Sequence, residues 1–175
     1  MRELLDTAVF LIGARRAILI GTIAAVALTI VLIPFIFSLT ATGLDNVRIE
    51  LSAVKVGDVV PGEVSVPITV TFRITNPIDR ALTTSKIEYE LFADGVSLGQ
   101  HILSYEDVPP PGRPPLFKDL PTNLSSSFLL SQSATNDELF DRVASSGDDI
   151  NWSVTGTAVV ESALTSLQKE FSDEL

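Results

Sequence analysis

Residues 64–75 read VSVPITVTFRIT, and this stretch decides the fold of the larger part of the chain. Apolar side chains occupy every second position from Val64 to Ile74, and the positions between them carry Ser, Pro, Thr and Arg. Because successive side chains of a β-strand point to opposite faces, the alternation predicts a strand with one buried and one solvated face. Pro67 has no N–H to give to a ladder, so we expect an edge position or a bulge there.

The same alternation recurs on both sides of this stretch. Residues 47–56 change phase after Leu51, which predicts a β-bulge, and residues 85–93 lead into Asp94–Gly95, a two-residue hairpin signal. Further strands are predicted over 96–105, 125–133 and 150–160, with a short helix at about 136–145. About seven short alternating strands predict an all-β fold, an Ig/fibronectin-like antiparallel β-sandwich over residues 47–175.

Six prolines interrupt the alternation in residues 108–123, VPPPGRPPLFKDLPTN. Proline at this density resists both helix and ladder. We therefore expect an exposed, stiff connector between sheets. The tail, with Leu164, Leu167 and Phe171, fits neither period clearly.

Residues 17–39, AILIGTIAAVALTIVLIPFIFSL, carry no charged side chain. A helix of that length spans about 34 Å, against a hydrocarbon core of about 30 Å. We therefore predict one N-terminal transmembrane α-helix over 17–39. It follows a cytoplasmic or interfacial segment, residues 1–16, and precedes a linker, residues 40–46.

The charges that flank this segment predict its orientation. Arg15 and Arg16 precede it directly, and Asp45 is the first acidic residue after it. Residues 1–39 carry three basic and two acidic side chains (+1) and residues 40–175 nine and twenty (−11), which sum to the −10 of the chain. Because basic residues stay on the cytoplasmic side, we expect a single-pass protein of the cell membrane with a cytoplasmic N-terminus and an extracytoplasmic sandwich.

Two other interpretations of the segment remain open. A cleaved signal peptide has an apolar region of about 7–15 residues and a small-residue cleavage site. This region is longer and SLTATG is a poor site, which favours an uncleaved signal anchor. A pilin-type signal, cut near Arg16–Ala17, would free a hydrophobic assembly helix, but the helix lacks an early Glu.

Small residues recur every four positions along the apolar segment, at Gly13, Ala17, Gly21 and Ala25. Residues at this spacing lie on one helix face, where small side chains let a second helix approach closely. We expect the lipid bilayer and other membrane helices to be the partners of this segment.

The sequence offers no pattern of catalytic chemistry. It contains no cysteine, one histidine (His101), no GxSxG and no phosphate-binding glycine loop. A lone histidine on a strand is usually a surface or hydrogen-bonded residue, and the pairs Glu106–Asp107 and Asp148–Asp149 lack EF-hand spacing. We predict no enzyme activity, no catalytic residue, no cofactor and no metal. The acidic balance also argues against nucleic acid as a partner.

Two N-glycosylation sequons lie in the predicted extracytoplasmic domain. They are Asn123-Leu124-Ser125 and Asn151-Trp152-Ser153. Asn123 and Asn151 are therefore glycosylation candidates. Trp152 falls on the apolar face of its strand and is expected in the core.

Residues 71–100, TFRITNPIDRALTTSKIEYELFADGVSLGQ, resemble the late embryogenesis abundant group-two family, also called the water-stress and hypersensitive-response domain. The resemblance rests on Asn76–Pro77 at a strand end, on the alternating strand that follows, and on Asp94–Gly95 before Leu98–Gly99; INWSVTGTAVV resembles the family's closing strands. It implies a fibronectin-like sandwich, often behind an N-terminal membrane helix, in stress or desiccation tolerance. It implies no catalytic residue, and it makes Asn76–Pro77 a fold marker.

Together these features predict a non-catalytic, membrane-anchored β-sandwich protein of the cell envelope with a binding or protective role, acting on an envelope partner or under water stress. An accessory structural subunit of a membrane protein complex is the alternative. A pilin-like filament subunit is a third interpretation, and it requires a processed N-terminus.

Overall fold

The computed structural model describes residues 19–35, 43–58, 64–133, 137–145 and 149–175. They belong to two compact units that divide after residue 42. The described residues of the first unit form a helix, α1, over residues 19–35. The second, residues 43–175, contains the strands and a short helix.

Helix α1 covers the middle of the predicted transmembrane segment. Its large apolar side chains are exposed, from 44% for Leu32 to 69% for Val31. No helix in the described ranges has both the length and the apolar character needed to cross a membrane. Ala17, Ile18 and residues 36–39 lie outside the described residues, so the membrane anchor stays a prediction.

Strands dominate the second unit, and the described residues contain eight of them. They are β1 (Arg48–Val56), β2 (Ser65–Thr75), β3 (Leu82–Ala93), β4 (Val96–Ser104), β5 (Pro115–Leu116), β6 (Thr122–Ser131), β7 (Trp152–Glu161) and β8 (Ser166–Glu174). The helix α2 spans Asp137–Ser145, and 3-10 turns span Leu44–Asn46 and Pro110–Gly112. The strands form antiparallel sheets in the orders β1-β2-β6 and β4-β3-β7-β8, with β5 paired to β3. The predicted all-β antiparallel sandwich is confirmed.

Strand β2 lies in the middle of its sheet, but at Pro67 itself β1 has already ended, so the edge position expected at that point is confirmed locally. It pairs with β1 on one side and with β6 on the other. The Gly57 N–H donates to the Pro67 carbonyl at 2.8 Å, so the backbone of Pro67 faces the point where β1 has ended at Val56. A missing N–H is tolerated there because no residue of β1 lies opposite it.

The alternation predicts correctly which side chains of the strands enter the core, except for Val64, which precedes β2 and is 59% exposed. In β2 these are Val66, Ile68, Val70, Phe72 and Ile74, each fully buried. In β3 they include Ile87, Tyr89 and Leu91, and Trp152 of β7 is 4% exposed. These rows face one another between the two sheets, as expected for a sandwich.

Two local backbone predictions are also confirmed. Asp94 and Gly95 have φ values of 50° and 80°, the positive pair that a type I′ hairpin turn requires. The register of β1 against β2 shifts between Leu51 and Ala53, which is the expected bulge. The Leu51 N–H at that shift donates to the Asp173 carboxylate of β8 at 2.7 Å.

The proline-rich connector is exposed over most of its length, as composition predicts, but two of its residues fix it to the larger sheet. Pro109 to Gly112 are exposed, but Leu116 is fully buried and lies in β5. Arg113 fixes the exposed part: its Nε donates to the Val108 carbonyl at 2.8 Å, and its guanidinium pairs with Glu161 at 2.6 Å. The connector is therefore a docked element of the larger sheet.

Candidate functional site

A hollow of about 560 Å³ lies on the larger sheet, at strands β3, β4 and β7. Register places six of its lining side chains on the face away from the core. In one row Ile102, Glu88 and Thr157 lie side by side, and in the next row Gln100, Glu90 and Thr155 do so. Because the sheet twists, such a face is concave along its diagonal.

The two glutamates of the hollow differ in their partners. The Ser97 hydroxyl donates to the Glu90 carboxylate at 2.5 Å. Lys86 pairs with Glu88 at 3.1 Å and lies 4.0 Å from Glu106. The hydrogen bond that Lys86 donates to Glu88, followed by the charge of Glu106, raises the pKa of Lys86 above its usual value. The hollow therefore presents carboxylate, amide and hydroxyl groups, which suit hydrogen bonding to a polar or cationic ligand.

The described residues do not show a metal centre. Among them, no group of three or more Asp, Glu or His side chains is arranged to hold an ion. Glu106 and Asp107 are exposed, and Asp148 of the second acidic pair lies outside the described residues.

Aromatic rings pack on the core side of the same strands. Tyr89 meets Phe72 of the opposite sheet edge-on at 4.9 Å, and His101 stacks on Phe128 of β6 at 3.6 Å with an interplanar angle of 18°. The two rings from the larger sheet, Tyr89 and His101, lie 5.6 Å apart. His101 therefore joins the two sheets near the edge strands β4 and β6, and it points away from the hollow.

Two polar atoms of this cluster are buried without a hydrogen bond to any described residue: the Tyr89 hydroxyl and His101 Nε2. Burial raises the pKa of Tyr89, and the nearby Ser126 lowers it in smaller measure. Burial lowers the pKa of His101 below 6.5, and the backbone of Leu98 raises it in smaller measure. The ring is half-buried, stacks on Phe128 and has a hydrogen bond with the backbone of Leu98, which fits the expected hydrogen-bonded histidine, whereas Nε2 has no partner among the described residues.

Gly156 in β7 sets the floor of the hollow. A Cβ built on it would lie 2.3 Å from the Glu88 carbonyl oxygen and 2.9 Å from the ring of Phe171. The absence of a side chain lets the Phe171 ring cover β7 on the core side. Sequence alone does not reveal this role, because it depends on the pairing of β7 with both β3 and β8.

The structure places the other predicted site residues apart from the hollow. Asn123 on β6 and Asn151 before β7 are both exposed, so a glycan would be accommodated at either, and their use stays a prediction. Gly21 and Ala25 are exposed on α1, whereas Gly13 and Ala17 lie outside the described residues. The predicted helix-packing face is thus described over half its length.

Asn76 behaves as the fold marker that was expected. Its side chain accepts from the Ile78 N–H at 3.0 Å and donates to the carbonyls of Arg80 at 2.7 Å and Leu116 at 2.8 Å. It is fully buried. These bonds close the turn after β2 and attach the proline-rich connector to it.

Comparison with known proteins gives structural neighbours but no family. No family model and no curated protein matches the chain. A crystal structure from Archaeoglobus fulgidus is 17% identical, with a TM-score of 0.43, over 71% of this chain and 94% of that one. A solution structure from Arabidopsis thaliana is 16% identical, with a TM-score of 0.49, over 71% and 76%.

A third neighbour is a putative late embryogenesis abundant protein. It is 13% identical, with a TM-score of 0.41, over 86% of this chain and 85% of its own. At this level of identity and similarity the three neighbours assign neither a family nor a function to the chain.

Proposed function

We propose that the chain is a non-catalytic, fibronectin-like β-sandwich module that α1 holds at a membrane, with a binding or protective role of the kind the late embryogenesis abundant resemblance implies. The observation that carries the proposal is α1 itself. Residues 19–35 contain no charged side chain, and their large apolar side chains are exposed. Apolar surface left in water costs about 25 cal/mol per Å², and a bilayer removes that cost.

The chemistry of the sandwich supports a binding role over a catalytic one. Besides Tyr89, His101 and Gly156, the hollow is lined by the six outward-facing side chains, which are two carboxylates, an amide, two hydroxyls and one aliphatic group. His101 projects to the opposite face, so it cannot act as a base for Thr155 or Thr157. A protein partner or a polar solute in the envelope fits this set of groups.

Membrane anchoring can be tested with charges placed on α1. The full chain is expressed in cells, and membranes are washed with alkaline carbonate. We expect the native chain in the pellet and the Ile23→Lys/Ile30→Lys variant in the supernatant, because each central lysine costs about 2.5–3.5 kcal/mol in a bilayer. A matched Ile23→Leu/Ile30→Leu variant should stay in the pellet. Release of the native chain would overturn the anchor.

The protective role has a separate test. Vesicles that carry the chain are dried and rehydrated with a drying-sensitive enzyme, and residual enzyme activity is measured. Vesicles with an unrelated single-pass protein at equal mass are the control. Equal losses in both preparations would refute protection while leaving the anchor intact.

The alternative function, an accessory subunit of a membrane complex, is favoured by one observation. Gly21 and Ala25 lie one turn apart on α1 and are both exposed, which would allow close approach of another helix. Blue-native electrophoresis of gently solubilised membranes separates the two functions. Comigration with a large assembly, lost in Gly21→Leu/Ala25→Leu but kept in Ile23→Leu, would favour the subunit.

A further inference from the structure

We propose that the free edge of β6 is a self-association surface, at which two copies of the chain pair antiparallel and join their three-stranded sheets. Strand β6 ends the order β1-β2-β6 in the described part of the chain. An exposed edge strand presents a row of unpaired N–H and C=O groups that another strand can bind.

The backbone geometry of β6 makes it a regular template. Its register against β2 runs without a shift from Ser65↔Ser131 to Ile74↔Thr122. The Gln132 N–H donates to the Val64 carbonyl. Counting back from Gln132, the backbone groups of every second residue, such as Leu130, therefore bond to β2. The residues between them direct their backbone groups away from β2: Asn123, Ser125, Ser127 and Leu129. Their side chains are also exposed.

The other edge strands carry features that hinder pairing. In β1 the bulge interrupts the register, and the Leu51 N–H is already taken by Asp173. Strand β8 carries Lys169, Glu170, Asp173 and Glu174. Strand β4 has Gly99 at a φ of 101° and lies beside Glu88 and Glu90 of β3. By contrast β6, TNLSSSFLLS, has no charge, proline, glycine or bulge.

Charge limits where a second copy can meet the first, and an uncharged edge is a place where repulsion is weakest. Residues 40–175 carry nine basic and twenty acidic side chains, a net of −11, so two copies repel over most of their surface. No side chain of β6 is charged, and Arg73 is the one charged side chain of the neighbouring β2. Antiparallel pairing about a two-fold axis would therefore bring neutral strands together.

The hydroxyl groups of β2 and β6 form a row on the outer face of their sheet, and pairing of two β6 strands would extend this row into the second copy. Thr69 of β2 shares a hydrogen bond with Ser127 at 2.9 Å, and Thr71 shares one with Ser125 at 3.0 Å. With the axis near Ser126, Ser125 of one copy would lie opposite Ser127 of the other. Small polar side chains on facing strands allow close approach without steric conflict.

Single cysteines test the geometry, because the native chain has none. The full-length, unglycosylated chain in detergent micelles carries cysteine at 125, 127 or 129, and the variants are oxidised alone and as mixed pairs. We expect a disulfide-linked dimer for at least one combination, since facing Cα atoms would lie within about 4.4–6.8 Å. Thr69→Cys and Thr71→Cys, on the same face but one strand further in, are matched controls. Cross-linking no stronger than theirs would overturn the proposal.

A charge variant tests the energetics. Ser127→Lys and Thr69→Lys each remove the same hydroxyl pair and each add one positive charge, but only the first lies on the edge. Light scattering of the full chain should show a dimer for native protein and for Thr69→Lys. For Ser127→Lys we expect the dissociation constant of the dimer to rise at least tenfold. Unfolding curves check that both variants fold. A native monomer, or a dimer that Ser127→Lys leaves intact, would refute pairing through β6.

Discussion

Gly156 shows how a single residue can fix both faces of a sheet. The Cβ contacts that alanine would make, 2.3 Å to the Glu88 carbonyl and 3.0 Å to the Tyr89 Cα, involve backbone that cannot turn aside. We expect Gly156→Ala to lower the free energy of unfolding by about 2–3 kcal/mol through overpacking. Urea unfolding measures this, and Thr157→Ala on the hollow side should stay within about 0.5 kcal/mol. Equal effects of the two changes would contradict the close packing.

The single residue His101 should also make the stability of the fold depend on pH. Because its folded-state pKa lies below the usual 6.5, the unfolded chain binds more protons as the pH falls. Stability from the neutral ring is fully present above pH 6.5 and is lost as pH falls through the folded-state value. His101→Phe keeps a ring on Phe128 and removes the titration.

Urea unfolding of native protein and His101→Phe, from about pH 7.5 to about pH 5, isolates the histidine from the carboxylates common to both. The native chain should lose more stability than the variant over that range. Parallel pH profiles would show that the folded state does not resist protonation of the ring.

At the scale of elements, the proline-rich connector depends on Arg113. This side chain is only 11% exposed and bonds to both the Val108 carbonyl and the Glu161 carboxylate. We expect Arg113→Ala to cost about 1.5–3 kcal/mol, since charge-assisted bonds are lost and Glu161 loses its partner. Limited proteolysis should then cut between Glu106 and Gly112 faster than in native protein.

Lys118→Ala provides the control for the connector. Its ion pair with Asp79, at 3.5 Å, has side chains that are 48% and 89% exposed, and exposed pairs contribute little. Its cleavage rate should match that of the native chain. If Arg113→Ala and Lys118→Ala were both cleaved faster than native protein, the loss of any positive charge would loosen the connector, and the specific contacts of Arg113 would not explain its position.

The sequence predicts an element well when neighbouring residues determine it, and poorly when it depends on pairing with a strand that is distant in the sequence. The Asp94–Gly95 turn and the alternating faces of β2 follow from neighbouring residues, and both are confirmed. The central position of β2 depends on pairing with β6, far away in sequence, so Pro67 predicts only the local gap where β1 has ended. The hollow needs the register of β3 with β4 and β7, which no local pattern contains. Strand β8 alternates half-buried and exposed side chains, but charged residues occur in both rows, so it is recognisable only by its pairing to β7.

For the whole molecule, the orientation of the chain makes a prediction about its two sequons. Translation with microsomal membranes should add two glycans to the native chain, because Asn123 and Asn151 are exposed and both follow the predicted anchor. Asn123→Gln and Asn151→Gln should each remove one glycan, as judged by the shift in electrophoretic mobility. If the native chain gains none while a sequon added ahead of Arg2 is used, the orientation is the reverse.

The two sequons should also have different consequences for association. Asn123 lies on the free edge of β6, whereas Asn151 lies before β7, whose two sides pair with β3 and β8. A glycan at Asn123 is bulky and would block the approach of a second β6, and a glycan at Asn151 would not. Glycosylated Asn151→Gln, modified only at Asn123, should therefore be monomeric by light scattering, and glycosylated Asn123→Gln should remain dimeric. Enzymatic removal of the glycan should restore the dimer in the first, and a dimer that persists with Asn123 glycosylated would exclude pairing at this edge.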